Sequence, residues 1–379
     1  MDELILTNAR LIDGEGGVRE RATVRVADGR IAEVGSVGDV EPGGEVRDLA
    51  GRTLMPALVD AHIHFSSYRS LPEPLRGEEP LTPALRYFEL ANHARSLVEM
   101  GVLTVRDVGS GDDHALHLRQ AINLGLCPGP RVLACGRIVS ATSPGCRIFT
   151  TMYRPADGCD EARKAVREQI MMGADFIKVM TTGARSVVLE DPEPAQLTRE
   201  EVRTIVEEAH RMGKRVAAHV EGLEGARIAV EEGVDTIEHG LSLHREPELL
   251  DRMAENGQFL IPTLSTFHNL SQDIADKYPC VLVGQAKRQR EEAYETLAAA
   301  REAGVGISMG FDSHPLGRNA LELVRMVEGG LTAMEGLVAA TSNAAAALGL
   351  DDVGMVRPGA VADLIVLDGD PLEDPSILL

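Results

Sequence analysis

The feature that most constrains this fold is a regular alternation of short apolar strands with amphipathic helices, which begins at residue 57. Helical periodicity is clear in residues 199–212 and 222–232. Eight strand candidates occupy residues 57–64, 102–108, 131–139, 175–180, 215–220, 236–239, 259–264 and 306–312. Strands that alternate with helices are typical of βα units around a parallel sheet. Eight such units between residues 57 and 350 predict an α/β fold, a distorted (β/α)8 TIM barrel.

Glycines mark several of the predicted helix ends. The predicted strands begin one to three residues after Gly101, Gly173, Gly213 and Gly233. Glycine just past a helix adopts, at little cost, the left-handed conformation that ends the helix. These four positions therefore support the predicted boundaries.

The segments on either side of this repeat have a different sequence pattern. Residues 1–56 contain short alternating strands and an Asp28-Gly29 pair, which is typical of a tight hairpin turn. Residues 351–379 contain a turn and one more strand, with too little apolar surface to fold alone. We expect the two segments to combine into one small β-sandwich, with the barrel of residues 57–350 inserted between them.

The composition limits the partners of the chain. A formal net charge of -21 argues against nucleic-acid binding, which needs clustered Lys and Arg. The 5 cysteines lack metal-binding spacing and are typical of a reducing compartment. The sequence shows neither a secretory leader nor an apolar run of about 18 residues. We therefore expect a cytoplasmic homo-oligomer that acts on a small-molecule substrate and has no membrane or nucleic-acid partner.

Metal-competent side chains recur at the carboxyl ends of the predicted strands, where (β/α)8 barrels carry their chemistry. These side chains are His62, His64, Lys178, His219, His239 and Asp312. His62 and His64 are two positions apart on one strand, so their side chains point to the same side. Imidazole and carboxylate groups are good ligands for ions such as Zn2+.

Each of these residues also has a structural explanation when it is considered alone. Lys178 could extend its ammonium to the rim of the barrel, and His219 or His239 could be a hydrogen-bonded core histidine. Asp312 could cap the turn before a helix. Their coincidence on five strand ends favours one shared metal site over separate structural roles.

Seven sequence motifs together resemble the amidohydrolase superfamily over nearly the whole chain. They occupy residues 55–64, 176–178, 218–219, 237–240, 310–313, 341–345 and 358–364. Within the superfamily, the chain is most similar to the branch of imidazolonepropionase-related and prolidase-like hydrolases.

This resemblance implies a site for two divalent metal ions. The more buried ion would be held by His62, His64 and Asp312, and the more exposed ion by His219 and His239. Lys178, carboxylated by CO2, would bridge the two ions, for which Zn is favoured over Mn, Fe or Co.

The same resemblance implies hydrolysis of an amide-type C–N bond in an N-acyl amino acid, a dipeptide or a cyclic amide. Two close ions acidify a shared water, and the resulting hydroxide would attack the carbonyl. Asp312 would act as the general base and pass the proton to the leaving amine.

Departures from the superfamily pattern concern substrate recognition. Dipeptide-cleaving relatives often carry a histidine-containing, glycine-rich turn after strand 3, where this chain has residues 137–146, and a tyrosine at the position of Glu221. Glu221 could select a cationic or hydroxylated group, or could be a solvated loop residue. Candidate substrate contacts are Arg106, Tyr153, Arg185, Glu221 and His314. Arg106 and Arg185 could equally form structural ion pairs. Cys146 could approach the metals or be a bystander, and Asp60 could orient a ligand histidine or cap a turn.

Two alternative functions follow from the same residues. A mononuclear deaminase or imidazolone-type hydrolase would use the same barrel and would leave Lys178 without a role. Such enzymes typically carry an acidic residue three positions after the strand-5 histidine, where this chain has Gly222. A non-catalytic amidohydrolase-like scaffold is the second alternative, although such proteins usually lose ligands and none is missing here.

Overall fold

The computed structural model describes residues 3–36, 38, 40, 44–66, 82–184, 187, 189–273, 275–277 and 280–379. Within these residues, the strands are β1 (Glu3–Ile12), β2 (Val18–Ala27), β3 (Arg30–Ser36), β4 (Glu45–Asp48), β5 (Thr53–Pro56), β6 (Leu58–Ile63), β7 (Val102–Asp107), β8 (Arg131–Ala134), β9 (Ile138–Ser140), β10 (Tyr153–Pro155), β11 (Ile177–Met180), β12 (Val216–Val220), β13 (Thr236–His239), β14 (Phe259–Ile261), β15 (Gly306–Ile307) and β16 (Leu364–Leu367). The α-helices are α1 (Pro83–Glu99), α2 (His114–Asn123), α3 (Gly145–Phe149), α4 (Cys159–Met171), α5 (Arg199–Arg211), α6 (Leu223–Glu231), α7 (Pro247–Asn256), α8 (Leu264–His268), α9 (Cys280–Glu302), α10 (Ala320–Glu328), α11 (Ala333–Ala339) and α12 (Ser342–Leu348).

Both ends of the chain contribute to one six-stranded sheet. β2 pairs with β1 and β3 in antiparallel register, and β4 and β5 pair with β1 in parallel register. The β2–β3 hairpin turns at Asp28 and Gly29, whose φ angles of 51° and 74° suit a tight hairpin. β16 pairs with β5 in antiparallel register. The tail therefore joins the N-terminal strands.

The remaining strands form two parallel sheets. The first consists of β6, β7 and β8, and the second has the order β10-β9-β11-β12-β13-β14-β15. Backbone hydrogen bonds connect the two sheets at both sides, from Asp175 N to Ala134 O (2.9 Å) and from Ala61 N to Met309 O (2.9 Å). The predicted α/β class with parallel strands is confirmed. Because the strands are parallel, their carboxyl ends lie on the same side.

The helices pack their apolar faces against these strands. In α5, the buried residues Val202, Ile205 and Ala209 recur at helical spacing and share a core cluster with the buried residues of β12. The helix begins at a reciprocal cap, in which the Thr198 side chain accepts from the backbone of Glu201 and the Glu201 side chain accepts from the backbone of Thr198. Packing of this kind gives the strand ends a rigid support.

Predicted helix ends are confirmed at the four glycines. The φ angles are 76° at Gly101, 92° at Gly173, 67° at Gly213 and 82° at Gly233. α5 and α6 also end within one residue of the positions that the hydrophobic pattern predicts.

Three of the predicted strands are divided in the structure or shorter by at least three residues. Residues 131–139 form two strands, β8 and β9, because the chain turns at Gly136 with a φ of 72°. β14 and β15 stop at Ile261 and Ile307, and left-handed backbone follows at Thr263 (φ 50°) and Asp312 (φ 39°). Extended pairing cannot continue through left-handed backbone, so these strand ends are irregular.

The cysteines and the longest helices bear on the cellular environment of the chain. All five cysteines are free. Among the residues that the structure describes, no helix combines the length and apolar character that a membrane crossing requires.

Candidate metal centre

The end of β6 and the segment after β15 bring three candidate ligands together. His62 lies in β6, His64 follows it, and Asp312 follows β15. One ligand atom from each residue lies within 4.8 Å of the other two. Asp312 Oδ1 is 3.7 Å from His62 Nε2 and 3.6 Å from His64 Nε2. Asp312 N also donates to His62 O (2.9 Å), which fixes the two strand ends to each other.

Two more histidines extend this cluster. His219 lies in β12, His239 ends β13, and their ring centroids are 4.6 Å apart. The His239 ring centroid is also 5.2 Å from that of His62. His219 Nε2 is buried and has no hydrogen-bond partner among the described residues. Imidazoles from three strands therefore form one continuous group.

Hydrogen bonds at Nδ1 orient the first two histidines. His62 Nδ1 donates to Glu238 Oε2 (2.6 Å), and His64 Nδ1 donates to the Gly109 carbonyl (2.5 Å). A carboxylate and a carbonyl only accept, so Nδ1 carries the proton and Nε2 keeps its lone pair. An anchored Nδ1 with an available Nε2 is the usual arrangement of metal-binding histidines.

Lys178 lies in β11, and its side chain is 2% exposed. Its Nζ has no hydrogen-bond partner within the described part of the chain. Burial lowers the pKa of Lys178 to about 8, although the nearby charges of Glu238 and Asp312 act in the opposite direction. The alternative that Lys178 extends to the rim is wrong, because the amine is enclosed. A buried ammonium without hydrogen bonds is costly, so this position requires another explanation.

Burial also sets the protonation of the other candidate ligands. It lowers the pKa of His62 to about 4 and shifts the pKa values of His64 and His239 well below their usual range. Burial raises the pKa of Asp312 to about 8. Neutral imidazoles offer a lone pair without losing a proton, whereas Asp312 would release a proton on binding a cation near neutral pH.

The buried ion pair of Arg106 and Glu238 holds the His62 ring in position. Glu238 Oε1 accepts from Arg106 Nη2 (2.7 Å) and from Thr236 Oγ1 (2.5 Å), while Oε2 accepts from His62. Burial alone would raise the pKa of Glu238, but the charges of Arg106 and Lys178 outweigh it and hold the pKa well below its usual range. Glu238 is therefore a carboxylate that orients the His62 ring.

The position of Arg106 corrects the prediction that it contacts substrate. Arg106 lies within β7 and is buried. Its Nε donates to Ala61 O (2.6 Å), its Nη1 donates to Thr236 Oγ1 (3.1 Å), and its guanidinium lies 5.1 Å from the centre of the Phe176 ring. These contacts give the guanidinium a structural role inside the sheet.

Left-handed backbone occurs at three non-glycine residues beside the cluster, namely His239 (φ 67°), Thr263 (φ 50°) and Asp312 (φ 39°). Such conformations cost about 1–3 kcal/mol each and persist where surrounding contacts enforce them. The carboxylate of Glu322 accepts from the backbone N–H groups of the two residues after Thr263, both at 2.7 Å. Thr263 Oγ1 lies 2.7 Å from His239 Nδ1. Contacts from α10 thus fix the position of His239.

Asp60 is a buried carboxylate that binds backbone near the cluster. It accepts from the backbone N–H groups of His62 (2.9 Å) and Phe311 (3.2 Å) and from Asn319 Nδ2 (2.7 Å). The turn-capping alternative therefore describes Asp60 better than the orientation of a ligand ring. The residue ties the end of β6 to the segment that carries Asp312.

Glu221 and Tyr153 are both buried. Glu221 directly follows β12, and its Oε1 is 3.4 Å from His219 Nε2, so the solvated-loop alternative is wrong. Tyr153 begins β10, and its ring stacks on Phe149 with a centroid distance of 4.6 Å. The structure therefore places Glu221 directly beside a candidate ligand, whereas the Tyr153 ring packs against Phe149.

The remaining candidates are His314, Cys146 and Arg185. His314 is exposed, and its ring centroid is 6.0 Å from that of His93. The Cys146 thiol donates to Ala141 O (3.5 Å) and packs against an apolar cluster, in line with a bystander role. Arg185 lies outside the described residues.

Three residues that the sequence did not identify hold the candidate ligands in position, namely Glu238, Thr263 and Glu322. Glu238 had a usable signal, since it is a carboxylate inside an apolar strand that ends in a candidate ligand. Thr263 and Glu322 had no comparable signal, because each acts through a contact made only in the folded chain.

Known proteins resemble this chain over nearly its whole length. The sequence profile of the amidohydrolase family matches residues 53–378. An ochratoxinase from Aspergillus niger is 31% identical over 396 residues, covering 97% of this chain and 81% of the relative. An imidazolonepropionase from Paracoccus denitrificans is 25% identical over 405 residues, covering 96% and 93%. The solved structure of a Xaa-Pro dipeptidase with methionine bound in its active site has a TM-score of 0.88 and 31% identity, covering 100% of this chain and 96% of that chain. The chain therefore belongs to the amidohydrolase family of hydrolases.

Proposed function

We propose that this protein is a binuclear metal-dependent hydrolase of an amide-type C–N bond. The observation that carries the proposal is the buried amine of Lys178, which lacks a hydrogen-bond partner among the described residues and interacts with the charge of Asp312. An ammonium cannot bind a cation. When the neutral amine adds to CO2, an N–C bond forms, one proton leaves, and the resulting carbamate offers two anionic oxygens.

The donor set fits two ions. His62, His64 and Asp312 would hold one ion, His219 and His239 the other, and the Lys178 carbamate would bridge them. The orphaned Nε2 of His219 supports this assignment, as does the carboxylate-anchored Nδ1 of His62. Nitrogen and oxygen donors favour zinc. Two bound ions would acidify a shared water and polarise the scissile carbonyl.

Asp312 is the general base in this proposal. Its carboxylate takes a proton from the attacking water and returns a proton to the leaving nitrogen. The Asp312 side chain is 17% exposed, whereas the supporting Glu238 side chain is fully buried. Asp312 can therefore contact both a ligand histidine and an incoming substrate.

The substrate class we propose is an N-acyl amino acid, a dipeptide or a cyclic amide. Relatives named ochratoxinase, imidazolonepropionase and Xaa-Pro dipeptidase support this range, because each covers nearly the whole chain. Their different names indicate that the reaction is shared more widely than the substrate.

We also propose that the two parallel sheets close into one distorted (β/α)8 barrel of residues 57–350. The hydrogen bonds from Asp175 to Ala134 and from Ala61 to Met309 support closure, since they join the sheets at both sides. Residues 1–56 and 351–379 would form the small β-sandwich, for which the pairing of β16 with β5 is the support.

Metal analysis combined with a hydrolysis screen tests the proposed function. We expect about two divalent ions per chain by plasma mass spectrometry. We also expect hydrolysis of at least one N-acyl amino acid, dipeptide or cyclic amide, and loss of that activity on chelation. One ion per chain would favour the mononuclear alternative, and binding of no divalent ion would favour the non-catalytic scaffold.

Asp312→Asn is expected to lower kcat/KM by about 100- to 10,000-fold, because the amide cannot accept the proton. In the wild type, kcat/KM should fall as the pH is lowered, since protonation removes the carboxylate. Burial raises the pKa of Asp312 to about 8 in the metal-free chain, and bound cations lower it, so the midpoint should lie below 8. The measurement is a pH profile of kcat/KM, with the exposed Asp351→Asn as control. Near-wild-type turnover in Asp312→Asn would exclude the proposed role.

A further inference from the structure

Glu221 occupies an unusual position beside the cluster. It directly follows β12 and is buried with 5% exposure. Its backbone N–H donates to Thr182 Oγ1 (3.1 Å), and its Oε2 accepts from Gln289 Nε2 (3.1 Å). These two contacts, one from the loop after β11 and one from α9, direct Oε1 toward His219.

The distance between Glu221 and His219 is informative. Oε1 lies 3.4 Å from His219 Nε2, and that nitrogen has no hydrogen-bond partner in the described chain. A direct hydrogen bond would normally be about 2.7–3.2 Å long. Two ligands on one tetrahedral ion, with bonds of about 2.0–2.1 Å, lie about 3.3–3.4 Å apart. The spacing therefore fits two atoms that face a common cation.

We propose that Glu221 is an additional protein ligand of the more exposed ion, through Oε1 and together with His219 Nε2. This inference rests on the proposed function and goes beyond its ligand set. His62 and Asp312, which are ligands of the other ion in that set, show a comparable Nε2–Oδ1 distance of 3.7 Å.

The charge of Glu221 suits a place beside a cation. Gln289 is a neutral donor whose hydrogen bond orients the carboxylate. A divalent ion at His219 Nε2 would place positive charge next to Oε1. The carboxylate would in turn hold that ion more tightly than two imidazoles and a shared bridging group alone.

Metal titration of Glu221→Gln tests this inference. The metal-free protein is titrated with Zn2+ by calorimetry, and the cobalt-substituted protein is examined by absorption spectroscopy. We expect the ion at His219 and His239 to lose affinity by at least about 10-fold and the ion at His62, His64 and Asp312 to be unchanged. The cobalt spectrum of the site at His219 should change. The exposed Glu224→Gln, the same substitution three residues later, is the control and should titrate like the wild type.

The outcomes separate this inference from the proposed function. Two ions in the wild type with unchanged affinities and spectrum in Glu221→Gln would overturn the inference alone. A wild type that binds only one ion would overturn both. Glu221→Asp, which keeps the carboxylate, should recover part of the affinity and guards against misfolding of the amide variant. Equal loss in Glu221→Asp and Glu221→Gln, with circular dichroism unchanged, would contradict a ligand role for the carboxylate.

Discussion

Lys178→Ala is expected to lower kcat by about 1,000-fold or more and to reduce the bound metal below two ions per chain. In the proposed site, the Lys178 carbamate would offer oxygens to both ions, and electrostatic stabilisation by metal ions contributes several kcal/mol to hydrolysis. A loss of about 4 kcal/mol corresponds to about 1,000-fold in rate. Steady-state kinetics and metal analysis on the same preparation measure both effects.

Lys164→Ala is the matched control, because Lys164 is an exposed helix residue whose Nζ is 3.8 Å from Glu168. We expect it to keep both ions and wild-type turnover. Short carboxylic acids added to Lys178→Ala should restore part of the activity, since they supply the missing oxygens. A Lys178→Ala variant that keeps two ions and normal turnover would exclude the bridging role.

The proposed carbamate of Lys178 would be directly detectable. Burial lowers the pKa of Lys178 to about 8, so about a tenth of the amine is neutral at pH 7. An ordinary lysine, with a pKa of about 10.4, is neutral to less than about 0.1%. Carbamate formation requires the neutral amine. We expect 13C-labelled bicarbonate to give a carbamate signal by NMR in the wild type and none in Lys178→Ala.

The candidate ligands were predictable from sequence because they lie at or near the carboxyl ends of the predicted strands. Parallel strands place their carboxyl ends on one side, so His62, His219 and His239 meet without any knowledge of long-range contacts. The hydrophobic pattern therefore predicted the convergence of these side chains as well as the α/β class.

The support behind the ligands was not predictable in the same way. Arg106 and Glu238 are 132 residues apart, and neither strand alone indicates that their side chains meet. The sequence leaves substrate contact and a structural ion pair open for Arg106, because an arginine near a strand end has no local sign of a buried partner. It leaves substrate selection and a solvated loop open for Glu221 for the same reason, since Gln289, which binds it, lies 68 residues later.

The predicted lengths of β14 and β15 are too great, because the sequence pattern does not reveal the backbone conformation that follows them. Apolar residues continue past Ile261 and Ile307, and hydrophobicity does not reveal left-handed backbone at Thr263 or Asp312. Contacts from Glu322 and from the end of β6 impose these conformations. Strain of this kind is typical of functional sites, where geometry outweighs local preference.

Arg106→Met is expected to lower the free energy of unfolding by about 3–5 kcal/mol, because removal of one partner leaves the buried Glu238 carboxylate uncompensated. Arg106 is 2% exposed and Glu238 is fully buried, so water cannot replace the lost hydrogen bonds. Without the guanidinium, the pKa of Glu238 should rise, and a protonated carboxyl would orient His62 less well. Denaturant titration measures the first effect. Calorimetric metal titration measures the second, for which we expect a loss of affinity of about 10- to 100-fold for the ion that His62 would bind.

Arg301→Met provides the comparison, because the Arg301–Glu335 pair is exposed on both sides (44% and 42%). Exposed pairs contribute about 0–1 kcal/mol, so this variant should unfold almost like the wild type. The double variant Arg106→Met/Glu238→Leu should recover part of the stability, since it removes the unpaired charge, but not the metal affinity, since His62 Nδ1 loses its acceptor. A double variant that loses the sum of both single effects would show that the two side chains are not coupled, and would contradict the explanation by an unpaired charge. Recovery of stability without recovery of metal affinity would instead show that the Arg106–Glu238 pair acts mainly by orienting the His62 ring.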